Sequence, residues 1–199
     1  MNDLPILNII FVIGGPGSGK GSQCAKIALE KGLIHLSTGD LLRDIIKDKS
    51  DNNSLAKEIN ILMSKGELIS SELMMKVLNQ KLKSFTRDSV ILLDGFPRNK
   101  DNLSVWKKDK LSNVKLSLIW YFNCPDWLLS QRILHRNNEG RNDSSEEIVK
   151  KRIQIYKEET EPIIEELKSH KGFKEIDLTK SIEEVDKVLC EILRDYNLL

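Results

Sequence analysis

Gly14-Gly15-Pro16-Gly17-Ser18-Gly19-Lys20-Gly21-Ser22 follows directly on the apolar run 6–13, and this junction decides the fold. Four glycines among its first six residues allow backbone conformations closed to other residues and let the N–H groups approach an anion. Lys20 adds a point charge for the outer phosphates of a nucleotide. Residues 21–29 read as a helix whose positive end faces the same anion. The pattern is a Walker A loop with one departure. Gly21 follows Lys20 where the general motif carries Ser or Thr, so a metal-side hydroxyl has to come from Ser22. A plain Gly-rich turn would account for the glycines, but not for this spacing between a strand pattern and a helix pattern.

The 199 residues can bury one substantial core, and 31 basic against 30 acidic residues leave a net charge of +1. That balance argues against a large nucleic-acid surface. Cys24, Cys124 and Cys190 are widely separated and lack a CxxC spacing, so neither a disulfide framework nor a zinc site is indicated. A reducing, cytoplasmic setting is expected. The apolar run before the loop lacks a basic leader and contains Pro5, which favours a central strand over a signal peptide. No stretch approaches the roughly twenty apolar residues of a membrane span, so no membrane partner is expected.

Residues 9–13 form a continuous, mostly β-branched run, the sign of a strand covered on both faces. Similar runs recur at 33–36, 90–93, 116–122 and 173–176, with helical patterns between them. The alternation predicts an α/β fold: a P-loop NTPase-type, five-stranded parallel sheet flanked by helices, with sites at the carboxyl ends of its strands. Ser37 and Asp40 have the spacing of a capping box, opening a helix toward Lys47. Ser54 caps a helix over 55–65 that Gly66 stops, and Ser70 opens another toward Lys83. The first two of these helices carry little apolar material and read as a small mobile subdomain outside the main core.

The third strand ends in Asp94-Gly95-Phe96-Pro97-Arg98. An acid at that end of an apolar strand fits a Walker B residue that orders water around Mg²⁺, although Asp-Gly alone is also an ordinary turn start. Arg132 and Arg136, four apart, share a face of the helix expected over 126–136. A polar loop over 137–145 carries Gly140 and Arg141, and Arg152 lies in the next helix. Surface pairing accounts for Lys150, Lys151 and an i,i+4 pair of Lys157 with Glu161. The arginines around the loop point to phosphate because a phosphate site is already inferred. His35, His135 and His170 have no partners at metal spacing and read as packing or surface residues. Trp106, Trp120 and Trp127 read as packing residues.

Together the segments GGPGSGKGSQC (14–24), HLSTGDLLR (35–43), GELI (66–69), DGFPRNKDN (94–102) and GRND (140–143) resemble the short-form nucleoside monophosphate kinases, UMP/CMP kinases first and adenylate kinases next. They span nearly the whole chain in the family's order. The resemblance implies one kinase domain over 1–199, with an acceptor-binding subdomain at 37–67 and a short lid at 137–145. It implies transfer of the γ-phosphoryl of MgATP to UMP or CMP, with dCMP and AMP open as acceptors. Gly15, Pro16, Gly17, Ser18, Gly19, Lys20, Gly21 and Ser22 would hold the ATP phosphates and Arg132 would lie against adenine. Ser22 and Asp94 would serve the Mg²⁺, mainly through water. Arg43 and Arg98 would grip the acceptor phosphate, with Thr38, Gly66, Glu67, Leu68, Gly95 and Asn102 around the nucleoside. Lys20, Arg98, Arg136, Arg141 and Arg152 would carry catalysis. The Phe96–Pro97 bond would be cis, no structural zinc is expected, and the protein would act as a monomer.

Acceptor choice turns on two residues. Asn102 stands where the resemblance to UMP/CMP kinases implies a base reader, and its amide can donate or accept, serving uracil O4 and cytosine N4 by rotating. Thr38 resembles the adenylate kinases instead. Ser144 replaces the second of two aspartates usual in the family. A noncatalytic nucleotide-binding protein on the same fold is the alternative of another class, and no NKxD-type guanine motif supports a GTPase.

Overall fold

Strand β1 (Leu7–Gly14) is buried on both faces, with Ile9, Ile10, Phe11 and Val12 entirely withdrawn from solvent. The computed structural model describes residues 4–47, 54–134 and 146–199. β1 lies between β3 (Ser89–Asp94) and β4 (Val114–Asn123), while β2 (Ile34–Ser37) and β5 (Phe173–Asp177) form the edges. The order is β2-β3-β1-β4-β5 and every pairing is parallel. The register pairs Val12 with Asp94 and Ser37 with Asp94, which collects the strand ends at one rim.

Alternation along β1 divides the core in two. Leu7, Ile9, Phe11 and Ile13 enter one cluster with α4 (Ser71–Leu82), α5 (Lys100–Asp109) and α8 (Glu161–Leu167). Ile10 and Val12 enter the other, with α1 (Lys20–Lys31) and α9 (Ile182–Asp195). Helices therefore cover both faces, as the continuous apolar strands require. Caps fix several helix starts. Ser70 Oγ accepts from Leu73 N–H at 3.3 Å, Asn99 Oδ1 from Asn102 N–H at 2.8 Å, and Ser181 with Glu184 completes a capping box. No helix among the described residues is long and apolar enough to cross a membrane.

Four expectations need correction. Leu42 of α2 (Thr38–Lys47) and Ile59 of α3 (Ser54–Ser64) are buried in the same cluster as β1 and β3, so these helices contribute to the main core. The apparent shortage of apolar residues reflects a narrow stripe on each helix. Ser37 Oγ does accept from Asp40 N–H at 3.3 Å, but the Asp40 carboxylate pairs with Arg43. Trp106 and Trp120 pack, whereas Trp127 is 67% exposed. It lies in the first turn of α6 (Asp126–Leu134) two residues before buried Leu129, hence on the opposite side of the helix. Lys157 pairs with Asp126, not Glu161. It sits in a π turn (Tyr156–Thr160) between α7 (Glu146–Ile155) and α8, where four-residue spacing no longer aligns side chains.

Phe11 anchors the loop after β3 from below. Its ring lies 4.9 Å from Trp106 and 5.8 Å from Phe96, both edge-on, and Phe96 precedes Pro97 through a cis bond. Phe11→Ala is expected to destabilise the protein by about 3–5 kcal/mol and Phe11→Leu by less than about 1.5 kcal/mol. Urea titration measures both, and equal losses would show that apolar volume alone recovers nothing and that the edge-on ring contacts carry the effect.

Candidate active site

Between Gly14 and the start of α1, the backbone curls into a cradle. Ser18 N–H donates to Gly15 O at 3.2 Å, and Gly19 adopts φ 93°, a conformation that only glycine takes readily. A Cβ on Gly14 would lie 2.7 Å from Phe122 O, so the first turn of the loop runs hard against β4. Half-buried Lys20 folds back over the loop and donates from Nζ to Gly15 O at 3.1 Å. Its partial desolvation pulls its pKa down to about 8; Asp94 opposes that shift, and the charges of Arg98 and Arg152 reinforce it.

Asp94 is buried at the end of β3, below the loop. Burial alone would raise its pKa, but His35 Nε2 at 3.2 Å and the charge of Lys20 outweigh burial and hold the carboxyl below its ordinary range. His35 is thus a partner of the acid, not a packing or surface residue. Its motif segment was visible in the sequence, but the contact depends on β2 lying beside β3. Thr38 Oγ1 is 3.1 Å from the carbonyl oxygens of both Asp94 and Gly95, and supports the turn that leads to Arg98.

Arg98 is fixed at three points. Its N–H donates to Asn102 Oδ1 at 3.0 Å, its Nε donates to Gly95 O at 2.8 Å, and its carbonyl accepts from Thr160 Oγ1 at 2.7 Å. Desolvation within the cleft, then the charge of Arg152, lowers its pKa to about 10, which leaves it charged at neutral pH. Asn102 does not rotate freely, because Nδ2 also donates to Ser71 Oγ at 2.7 Å. Arg43 Nε donates to Asp40 Oδ1 at 3.2 Å, so its guanidinium is oriented by a neighbour on its own helix.

Pro16, Lys20, Gly66, Gly95, Arg98 and Arg152 line one continuous part of the cleft. Gly17, Ser22, His35, Arg43 and Asp94 line its extension along the loop. A recess beside it is lined by Thr38, Leu42, Met63, Glu67, Leu68 and Asn102. Glu67 pairs with Lys151 of α7 at 2.7 Å, and a Cβ on Gly66 would lie 3.1 Å from Arg152 Cγ, so α7 packs directly on this segment. Arg132 joins the phosphate loop to the segment after β5: Nη1 donates to Ser18 O at 2.9 Å and Nη2 to Leu178 O at 3.1 Å. His135, Arg136, Arg141, Ser144 and the loop 137–145 lie outside the described residues. Among the described residues no group of three His, Cys, Asp or Glu side chains is placed to hold a metal ion. Ser71 and Thr160 had no signal in the sequence, since hydroxyls that bond distant partners carry no local pattern.

A glycine-rich loop at the end of the central strand, with an acid closing the neighbouring strand, defines a P-loop nucleotide-binding protein. Residues 12–172 match the family model for adenylate kinase, and the chain belongs to that family. It is 37% identical to the UMP-CMP kinase of Mus musculus over 182 residues, 89% of this chain and 92% of that protein. It is 36% identical to the Homo sapiens UMP-CMP kinase over 189 residues, 92% and 95% of the two chains. It is 35% identical to UMP-CMP kinase 1 of Oryza sativa subsp. japonica over 191 residues, 96% and 76%.

Lys20 supplies a test of the cradle. With its folded pKa near 8 and its ordinary value at 10.5, the unfolded chain binds more protons between those values. The group's penalty is therefore fully present below pH 8 and is relieved as pH rises toward 10.5. Lys20→Met is expected to raise the thermal midpoint of the nucleotide-free protein at pH 7, by an increment that shrinks toward pH 10. Phosphoryl transfer in the same variant should fall by about a hundred- to thousandfold. A midpoint increment independent of pH would contradict the charge-burial account.

Proposed function

We propose that this chain is an ATP-dependent nucleoside monophosphate kinase that moves the γ-phosphoryl of MgATP to UMP or CMP, giving ADP and the pyrimidine nucleoside diphosphate. The observation that carries the reading is the pair of cationic anchors in one cleft. Lys20 stands at the phosphate loop and Arg98 on the turn after β3, with Arg152 lining the same space. A protein that only bound one nucleotide would need one anchor. The names of the relatives, UMP-CMP kinases, accord with the two-substrate reading.

In this reading residues 15–22 bind the ATP phosphates through backbone N–H groups and Lys20, and Arg132 lies under the adenine. Arg43 and Arg98 bind the acceptor phosphate. Arg152, joined by Arg136 and Arg141, neutralises charge on the transferring group. Transfer between two phosphates requires alignment and charge neutralisation more than covalent assistance. Arginines suit this because their guanidinium forks bind phosphate in bidentate fashion and stay charged. Residues 37–67 form the acceptor-binding subdomain and 137–145 the lid, which together exclude water that would otherwise hydrolyse ATP. The oxygen donors of buried Asp94 and exposed Ser22 line one cleft and fit a hard cation held largely through water. Mg²⁺ bound with ATP would neutralise phosphate charge there. The enzyme acts as a cytoplasmic monomer.

An AMP acceptor is the second reading, favoured by Thr38. Its hydroxyl, however, is engaged with the Asp94 and Gly95 carbonyls, a role in the loop that carries little information about a base. Following ADP formation from ATP with UMP, CMP, dCMP, AMP and GMP separates these readings. UMP or CMP should be phosphorylated fastest; AMP turning over well ahead of both would replace the reading, and ATP binding without any turnover would favour a noncatalytic protein. Arg98→Ala should lower kcat/KM for the preferred acceptor by about a thousandfold or more.

A further inference from the structure

We infer that Ser71 sets the acceptor preference of this site by holding the Asn102 amide in a single orientation. This deepens the kinase reading above and rests on it. Ser71 is the first residue of α4 and is 7% exposed, and Asn102 is 5% exposed. Helix capping does not explain the buried hydroxyl, because Ser70 Oγ accepts the Leu73 N–H. Ser71 Oγ instead meets Asn102 Nδ2 at 2.7 Å.

The orientation is unique on chemical grounds. Arg98 N–H can only donate, so it faces Asn102 Oδ1, at 3.0 Å. Turning the amide over would set two donors, Arg98 N–H and Nδ2, against each other, so Arg98 selects the orientation, and the bond from Nδ2 to Ser71 Oγ is the second tether that stops the amide swinging about the first. What remains for the neighbouring recess is the second N–H of Nδ2 and the second lone pair of Oδ1. Uracil presents an acceptor at position 4 and a donor at N3, whereas cytosine presents the reverse. A fixed amide therefore cannot meet both bases equally while Arg98 and Arg43 hold the phosphate in one place. Ser71 is a positioning residue: with its hydroxyl in place the Asn102 amide is pinned at both ends and discriminates, whereas an amide tethered to Arg98 alone could tilt to suit either base.

The experiment measures kcat and KM for UMP, CMP and ATP, and binding of UMP and CMP by calorimetry, in the full chain. It compares the parent protein with Ser71→Ala, Ser71→Thr, Asn102→Ala and the Ser71→Ala, Asn102→Ala double variant. Ser71→Ala is expected to raise KM and weaken binding of the preferred pyrimidine monophosphate by about three- to tenfold, the effect of one neutral hydrogen bond. The ratio of kcat/KM between the two pyrimidines should fall by a similar factor. The KM for ATP and kcat at saturating acceptor should stay within about twofold, Ser71→Thr should restore the ratio, and Ser71→Ala should add nothing in the Asn102→Ala background. An unchanged ratio, an equal rise in the ATP KM, failure of Ser71→Thr to restore it, or an equal effect in both backgrounds would each overturn the role of Ser71. Failure of the parent protein to phosphorylate either pyrimidine monophosphate would instead overturn the kinase reading.

Discussion

Lys20, Arg98 and Arg152 repel one another, and the rest of the site is built to hold them together. Arg98 and Arg152 lower the proton affinity of Lys20, Arg152 lowers that of Arg98, and the Asp94 carboxylate opposes both shifts. The cluster persists because neutral hydrogen bonds fix the backbone around it: Gly15 O takes Lys20, while Gly95 O, Asn102 and Thr160 hold Arg98. Bringing cations this close together is a poor way to stabilise a fold and a good way to receive phosphate.

The sheet makes this possible by separating support from chemistry. The site occupies the rim where β1, β2 and β3 end at Gly14, Ser37 and Asp94, and two apolar clusters fill the faces of the sheet behind it. Phe11, Phe96 and Trp106 brace the turn after β3, while Cys24 and Ile27 seat the helix that begins at Lys20. Lys20 opens α1 and Arg98 lies on the braced turn after β3, so their separation follows from strand register and from the packing that holds that turn.

What the sequence reveals follows from the range of each interaction. The phosphate loop, the order of strands and helices, and the acid at Asp94 were legible because each is written in consecutive residues with a fixed spacing. Asn102 was legible as a residue worth attention, but its immobility was not, since Arg98 and Ser71 reach it from different parts of the chain. His35 was misjudged for the same reason: a histidine on an edge strand looks unremarkable until the neighbouring strand brings an acid to it. Trp127 failed differently, because aromatic character predicts burial only on average and the direction of a helix face decides the individual case.

The π turn at Tyr156–Thr160 has a consequence in rotational phase. Eight residues separate Arg152 from Thr160, and a regular α-helix would advance by about 800° over them, leaving the two side chains about 80° apart around the axis. One additional residue in the turn takes up about 100° of that advance, which brings Thr160 back to within about 20° of Arg152. One helical rod can then present a cation to the cleft and, two turns later, a hydroxyl to the carbonyl of Arg98. The irregularity acts as a phase corrector, and a single-residue deletion there would turn everything after it by nearly a third of a revolution.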